Sequence, residues 1–377
     1  MGMLPGMSAS PDPPISAGTG TSGDACPGAL RLHAADDGFL ARVRIPGGVL
    51  TADQARALGA LSARLGDGAL HLTSRGNVQL RGVRDGCGGA LAEALAAAGL
   101  LPSPAHERVR NVVASPMSGL DGLGSVDVRG WLRALDAELC ASAVTPGLSG
   151  RFLFALDDGR GDVAALGPDV LVRGLPGGDA EVSLGEARFR VAHGDAARAA
   201  VIAAEVFVTA AREAPGRTWR VAELTLSRAE LEARLVSAGL RGEVADGPAA
   251  AATPAEPAGL ALPFGTATPE KWAELTELAA RLPAQELRLT PWRRVVVPGA
   301  PADPDTPWTR LGACIGSRGC AKAHTDVRAD AAPRHPELPT YWSGCERRCG
   351  HPTGPYVDVT ARTDGTYTTT TRTTHPS

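Results

Sequence analysis

Apolar side chains along this sequence follow two rhythms, and the switches between them mark the elements. Leu58, Leu61 and Leu65 recur every three or four residues and so lie on one helical face; Trp272, Leu275, Leu278 and Leu282 do the same, as do Trp131, Leu132, Leu135 and Leu139 over a predicted helix 127–140. Further helices are predicted over 196–213 and 228–239, and another inside 84–105 that closes at Gly99 ahead of Pro102 and Pro104. Leu70 and Leu72 alternate with polar neighbours, as do Leu287 and Leu289, which predicts strands with one buried face. Phe152, Phe154 and Leu156 alternate up to a turn at Asp158-Gly159, and strands follow over 170–173 and 181–192.

Part of this pattern occurs twice. Residues 45–82 and 262–299 align without a gap at a fixed offset of 217: Pro46 meets Pro263, Gly48 meets Gly265, Thr51 meets Thr268, Arg64 meets Arg281, Thr73 meets Thr290 and Gly82 meets Gly299. Such agreement points to duplication of one unit. Each copy reads as strand, helix, strand, turn, strand. Thr51 is the predicted N-cap of the first helix, with Gln54 completing a capping box; Thr268 caps the second, with Pro269 in the first helical position. Each unit then supplies half of an α+β sandwich, and the two halves are expected to pair.

Composition narrows the picture further. At 377 residues, two or three domains are expected. Hydrophobic content is 44% but aromatics are only 4%, so Ala, Leu and Val carry most of the packing. The net charge of −3 gives no general argument for nucleic acid or a membrane surface, and no apolar run reaches the length of a span. Residues 1–25 read as a disordered leader, 241–258 as an Ala/Pro/Gly-rich linker and 361–377, with their Thr run, as a flexible tail. A cytoplasmic, reducing compartment is expected.

Candidate chemistry concentrates near the C-terminus. Cys314 and Cys320 stand in a C-x5-C pair, and Cys345 and Cys349 in a C-x3-C pair, separated by 24 residues. Four thiolates from two short loops suit an iron–sulfur cube, each iron taking one protein sulfur. A structural zinc site is the plain alternative, but zinc knuckles space their ligands more tightly than a five-residue gap. Seven cysteines is an odd count for disulfides. Cys26, Cys87 and Cys140 are isolated and read as buried filler. Asp157 and Asp158 read as a turn, and His351 as a loop residue. Gly119, Gly122 and Gly124 do not form a dinucleotide fingerprint, and no P-loop is present.

These cysteine pairs, with Ser343-Gly344 before the second and His351-Pro352 after it, resemble the cluster motif of the nitrite and sulfite reductase superfamily. Two further stretches share the resemblance. Residues 70–83 are similar to its T-x-R-x-x-x-Q hairpin, aiming Arg75, Asn77 and Gln79 at a tetrapyrrole pocket, although a solvated polar hairpin is the alternative. Residues 107–119 are similar to its R-N-V segment, with Arg110 and Asn111 as pocket residues. Arg151 matches the first of two distal lysines that grip a small oxyanion in the reductases, whereas Leu153 occupies the second position. Loss of that cation weakens the case for a small anionic substrate. In the second repeat Trp292 stands opposite Arg75, followed by Arg293 and Arg294; this PWR form is similar to the cobalamin-pathway branch.

The resemblance implies an α+β, pseudo-twofold architecture. Its expected parts are a first ferredoxin-like half-domain (26–105), a first α/β domain (106–240), a second half-domain (259–305) and an iron–sulfur domain (306–360). It implies a 4Fe-4S cluster on Cys314, Cys320, Cys345 and Cys349, and a mononuclear non-haem iron whose ligands the sequence does not mark. In the cobalamin branch the tetrapyrrole is the substrate, precorrin-3A, hydroxylated with dioxygen and electrons from an external NADH-linked donor. The alternatives are a sirohaem-dependent sulfite or nitrite reductase and a non-catalytic iron–sulfur carrier.

Overall fold

The computed structural model describes residues 27–246, 256–352 and 354–373. The leader, Cys26, half of the linker and the last four residues of the tail lie outside the described residues.

The two repeats fold alike and exchange strands. In the first copy the strand Val49–Thr51 leads into the helix Ala52–Leu65, then the strands Leu70–Leu72 and Val78–Val83. In the second, Thr266–Ala267 leads into Pro269–Arg281, then Glu286–Leu289 and Arg294–Val296. Both helices start as the sequence dictates: Thr51 accepts from the Gln54 N–H in a complete capping box, and Thr268 accepts from the Lys271 N–H. The leading strand of each copy pairs with the other copy. Val49–Thr51 adds antiparallel to Glu286–Leu289, and Thr266–Ala267 adds antiparallel to Leu70–Leu72. Each half-sheet is thus completed by its partner, and one apolar core runs through both, from Leu58, Leu61 and Leu70 to Trp272, Leu275 and Leu287. The Trp272 indole N–H donates to the Ala55 carbonyl at 2.7 Å across the same separation of 217 residues, so Trp272 touches its own repeat equivalent.

Residues 112–244 build a six-stranded sheet. Val112–Ala114, Phe154–Asp157 and Val170–Gly174 run parallel; Ala180–Leu184, Ala187–Val191 and Glu243–Val244 continue it antiparallel. The predicted strand 181–192 is therefore a hairpin, because Gly185, at φ 57°, takes a left-handed turn that splits it. The period of two divides the faces. Val112, Phe154, Leu156 and Val170 meet the helices Arg129–Ala141 and Ala196–Glu213, while Val113, Leu153 and Ala155 point the other way.

The cysteine region forms a four-stranded sheet of Leu311–Ala313, Thr340–Ser343, Tyr356–Ala361 and Tyr367–Arg372. This corrects two expectations. The segment read as a flexible tail supplies the last strand, antiparallel to Tyr356–Ala361, and the segment read as linker begins with the strand Glu243–Val244. Threonines favour extended backbone, and Arg372 pins the outer strand through a 2.6 Å hydrogen bond to the buried Asp358. Among the described residues, no helix is long and apolar enough to cross a membrane.

Trp272 fills the seam between the repeats. Replacing it with alanine removes a buried indole and its hydrogen bond, so W272A should lose about 3–5 kcal/mol of unfolding free energy. W272F should lose less. Urea denaturation checks both, and a near-neutral W272A would show that the repeats do not depend on this contact.

Candidate functional site

Two neighbouring parallel strands deliver the four cysteines to one edge. Leu311–Ala313 pairs in register with Thr340–Ser343, Ala313 opposite Trp342, so both chains leave the sheet side by side. Cys314 follows the first strand and Cys345 the second. The Cys314 N–H donates to Trp342 O at 3.0 Å, and the Gly344 N–H donates to Cys314 Sγ at 3.1 Å. Partial burial pushes the Cys349 thiol up, and charges on Cys345, Cys314 and Cys320 push it further. Among the described residues, no three of His, Cys, Asp and Glu converge closely enough to hold a single metal ion. A lone zinc would need sulfurs roughly 4 Å apart, given Zn–S bonds near 2.3 Å. A multi-iron cluster takes its ligands farther apart, and a loop edge with a part-buried amide directed at a cysteine sulfur suits one.

Arginines surround this edge. Arg81 grips Asp37 with two hydrogen bonds, of 2.7 and 2.8 Å, and donates to Gly319 O at 3.0 Å; the Asp36 carboxylate accepts from the Ala321 N–H. The first half-domain thereby clamps the Cys320 loop. Arg328 donates to Cys314 O at 3.0 Å and to Thr266 Oγ1 at 3.2 Å, and lies over the Phe264 ring. Burial lowers its pKa from the ordinary guanidinium value. Tyr341 donates to Cys349 O at 2.6 Å, and burial pushes its phenol up to about 12.

Beside this edge lies a cavity of about 620 Å³, within the range of small-molecule sites. Its wall takes Ser74 from the first repeat's turn, Trp292, Arg293 and Arg294 from the second's, Arg310 from the segment that follows and His351 after the last cysteine. The two turns have one backbone design. Thr73 N–H donates to Asn77 O and Thr290 N–H to Arg294 O, both at 2.9 Å. Gly76 sits at φ 66°, and its equivalent, Arg293, at φ 61°. A side chain in that left-handed region costs about 1–2 kcal/mol. Among the described residues four non-glycines have positive φ, and Phe264, Arg293 and Arg348 all lie at the cavity or in the Cys345–Cys349 loop. Strain of this kind gathers at functional sites.

The pocket residues picked out by sequence fall into four groups. Arg75 and Arg151 come together, Arg75 Nη1 donating to Arg151 O at 3.0 Å, next to the cavity-lining Ser74. Asn77 and Asn111 are fully buried and joined at 3.0 Å; with Arg44 they tie the hairpin to the strand region around Phe152. They position rather than bind. Gln79 pairs with Arg42, its carbonyl accepting from Nε at 3.2 Å. Arg110 is buried, and its fork is taken up by Asp136 at 2.7 and 2.8 Å. The carboxylate it grips is the chain's own, because a cation in the core must be paired there. Arg293, Arg294, Arg310 and Arg328 were not expected as site residues. The repeat alignment carried a signal for one of them, since it set Arg293 against a glycine.

The two apolar substitutions, Leu153 and Trp292, meet. Leu153, buried, packs with Val113, Ala155 and Val163, and Trp292 and Leu166 close over them. Leu166 and Trp292 also line the cavity. The loop carrying Leu166 is shaped by Asp157, whose carboxylate accepts from the N–H groups of Gly159, Gly161 and Ala164.

This fold is that of the nitrite and sulfite reductases: an α+β chain with two ferredoxin-like halves. Residues 32–98 match the nitrite/sulfite reductase ferredoxin-like half domain. The chain is 28% identical to ferredoxin–nitrite reductase of Synechococcus elongatus, over 83% of its own length and 74% of that protein's. It is 26% identical to precorrin-3B synthase of a Sinorhizobium species, over 87% and 78%. Its fold also matches the Mycobacterium tuberculosis NirA protein, with a TM-score of 0.65 at 18% identity, covering 88% of this chain and 73% of that one.

Near the same loop Asp162 accepts from Ser115 Oγ at 2.6 Å. Burial, together with the charges of Asp157 and Asp158, pushes its carboxyl up to about 6 from 3.8. The fold therefore favours its protonated form, and its contribution turns unfavourable as pH rises from about 4 to about 6. D162N should gain stability over wild type between pH 4 and pH 7, by up to about 3 kcal/mol. Urea denaturation at the two pH values reads this; an equal difference at both would contradict it.

Proposed function

We propose that this chain is a precorrin-3B synthase, hydroxylating precorrin-3A at carbon 20 with closure of a γ-lactone by the ring A acetate. One atom of dioxygen enters the macrocycle and the other leaves as water, with two electrons from an external NADH-linked donor and two protons. The observation that carries the reading is the apolar wall that Trp292 and Leu166 give the cavity, backed by the buried Leu153. Reduction of a small oxyanion calls for concentrated positive charge at its reacting atoms, and an apolar wall cannot supply it. A flat macrocycle with carboxylates at its rim needs the opposite: an apolar face and peripheral cations. Arg293 lines the cavity, as do Arg294 and Arg310, which share it with Glu256 and Asp305 and pair with them, and Arg75 and Arg151 adjoin it at Ser74. Guanidinium forks suit such carboxylates.

Cys314, Cys320, Cys345 and Cys349 would hold a 4Fe-4S cluster, which supplies single electrons when bound. The chain's own part is to seat it. Gly344 directs an amide at Cys314 Sγ, and Arg81 and Arg328 fix the loop backbone. For a second, mononuclear iron, no three-ligand set exists among the described residues, and no step is assigned to it.

A sirohaem-dependent nitrite reductase is the second reading, favoured by the 28% identical relative and by the neighbouring Arg75 and Arg151. An absorption spectrum of anaerobically purified protein separates the two. Cluster absorption without sirohaem bands, and conversion of precorrin-3A only when dioxygen is present, are the expected results; sirohaem bands with nitrite turnover would overturn the proposal. C345S should lose cluster absorption and turnover together, whereas retained turnover would remove the cluster from the reaction.

A further inference from the structure

We propose that Arg293 is a positioning residue that locks the Cys349–Gly350 turn against the cavity, and so holds bound macrocycle and cluster loop in one fixed relation. The inference rests on the reading of the cavity as the macrocycle site.

Three neighbours are shaped around this one side chain. Arg293 Nη2 donates to Gly350 O at 2.6 Å. A Cβ on Gly350 would lie 2.5 Å from that same nitrogen, and a Cβ on Gly265 would lie 2.5 Å from Arg293 Cδ, so neither position accepts a larger residue without displacing the guanidinium. The third neighbour is Tyr341, whose ring lies under the guanidinium with its centroid at 5.7 Å, and whose hydroxyl donates to Cys349 O at 2.6 Å. The carbonyls of two consecutive residues, Cys349 and Gly350, are thus held by Tyr341 and Arg293, which themselves stack.

The backbone supports the assignment independently. The first repeat puts glycine in the left-handed turn position, and the second puts Arg293 there at φ 61°. A duplicated unit that keeps its turn but gives up glycine at the strained position gains something from the side chain. That side chain faces both the cavity and the cysteine turn.

The test compares R293G, R293A and R293K with wild type. Iron and labile sulfide content, resistance of the cluster to an iron chelator, melting temperature and anaerobic precorrin-3A affinity are measured on each. R293G and R293A should both lose cluster to the chelator at least tenfold faster and bind precorrin-3A at least tenfold more weakly. R293G should melt above R293A, because only alanine keeps the backbone strain. R293K keeps charge without the planar fork and should remain chelator-sensitive. Wild-type chelator resistance in R293G, or in R293K if R293G takes up no cluster, overturns the lock. A wild type lacking iron and labile sulfide sinks the proposed function instead, so the two failures are distinguishable.

Discussion

The site depends on the exchange of leading strands between the two repeats. A strand of two or three residues cannot hold its place alone, yet Thr266–Ala267 on Leu70–Leu72 and Val49–Thr51 on Glu286–Leu289 are each fixed by the other copy. Because the exchange is reciprocal, the halves cannot slide independently: a register slip in one pairing would turn its apolar face out of the shared core. The turns after the second strand of each copy therefore reach one cavity, Ser74 from the first and Trp292 from the second. Thr266 also accepts from Arg328, which holds the Cys314 carbonyl. The same seam thus sets both the cavity and one corner of the cysteine cluster.

Electrostatics at the site separates by depth. Deep positions are either apolar, as at Leu153 and Trp292, or internally paired, as in Arg110 with Asp136 and Arg81 with Asp37. Buried cations survive only with partners that satisfy their forks. Cations that face the cavity come from the second repeat and the segment after it. The outcome is a partly open space with Trp292 and Leu166 on its apolar side and, around it, Arg293, Arg294 and Arg310 among the carboxylates of Glu256, Asp303 and Asp305.

Much of this was legible in the chain itself. The helices at 52–65 and 269–281 were marked by caps and by leucine spacing, the duplication by its constant offset, and the cysteine edge by paired spacing. Arg110 was not legible in the same way. Its partner, Asp136, lies on a helix 26 residues away, and no local pattern tells which arginine will face inward. The threonine strand at 367–372 was missed because none of its residues is buried and it carries no apolar alternation; pairing with the wholly buried Tyr356–Ala361 makes it a strand. The hairpin at Gly185 was missed because alternation runs straight across the turn.

Duplication also shows how one backbone acquires two uses. The turns share their threonine, their hydrogen bonds and their left-handed residue, so the geometry is inherited. In the first copy glycine leaves that residue silent, and its arginine, Arg75, sits one place earlier, donating to Arg151 O. In the second copy the earlier place holds Trp292, which closes the apolar cluster, and the charge has moved one residue on to Arg293. A shift of one residue in a tight turn redirects a side chain. It takes the cation from the turn that carries Arg151 and gives it to the turn that carries Cys349. The strain of a left-handed arginine follows from that relocation: with Trp292 committed to the apolar wall, the next position along the turn is the one from which a guanidinium reaches Gly350.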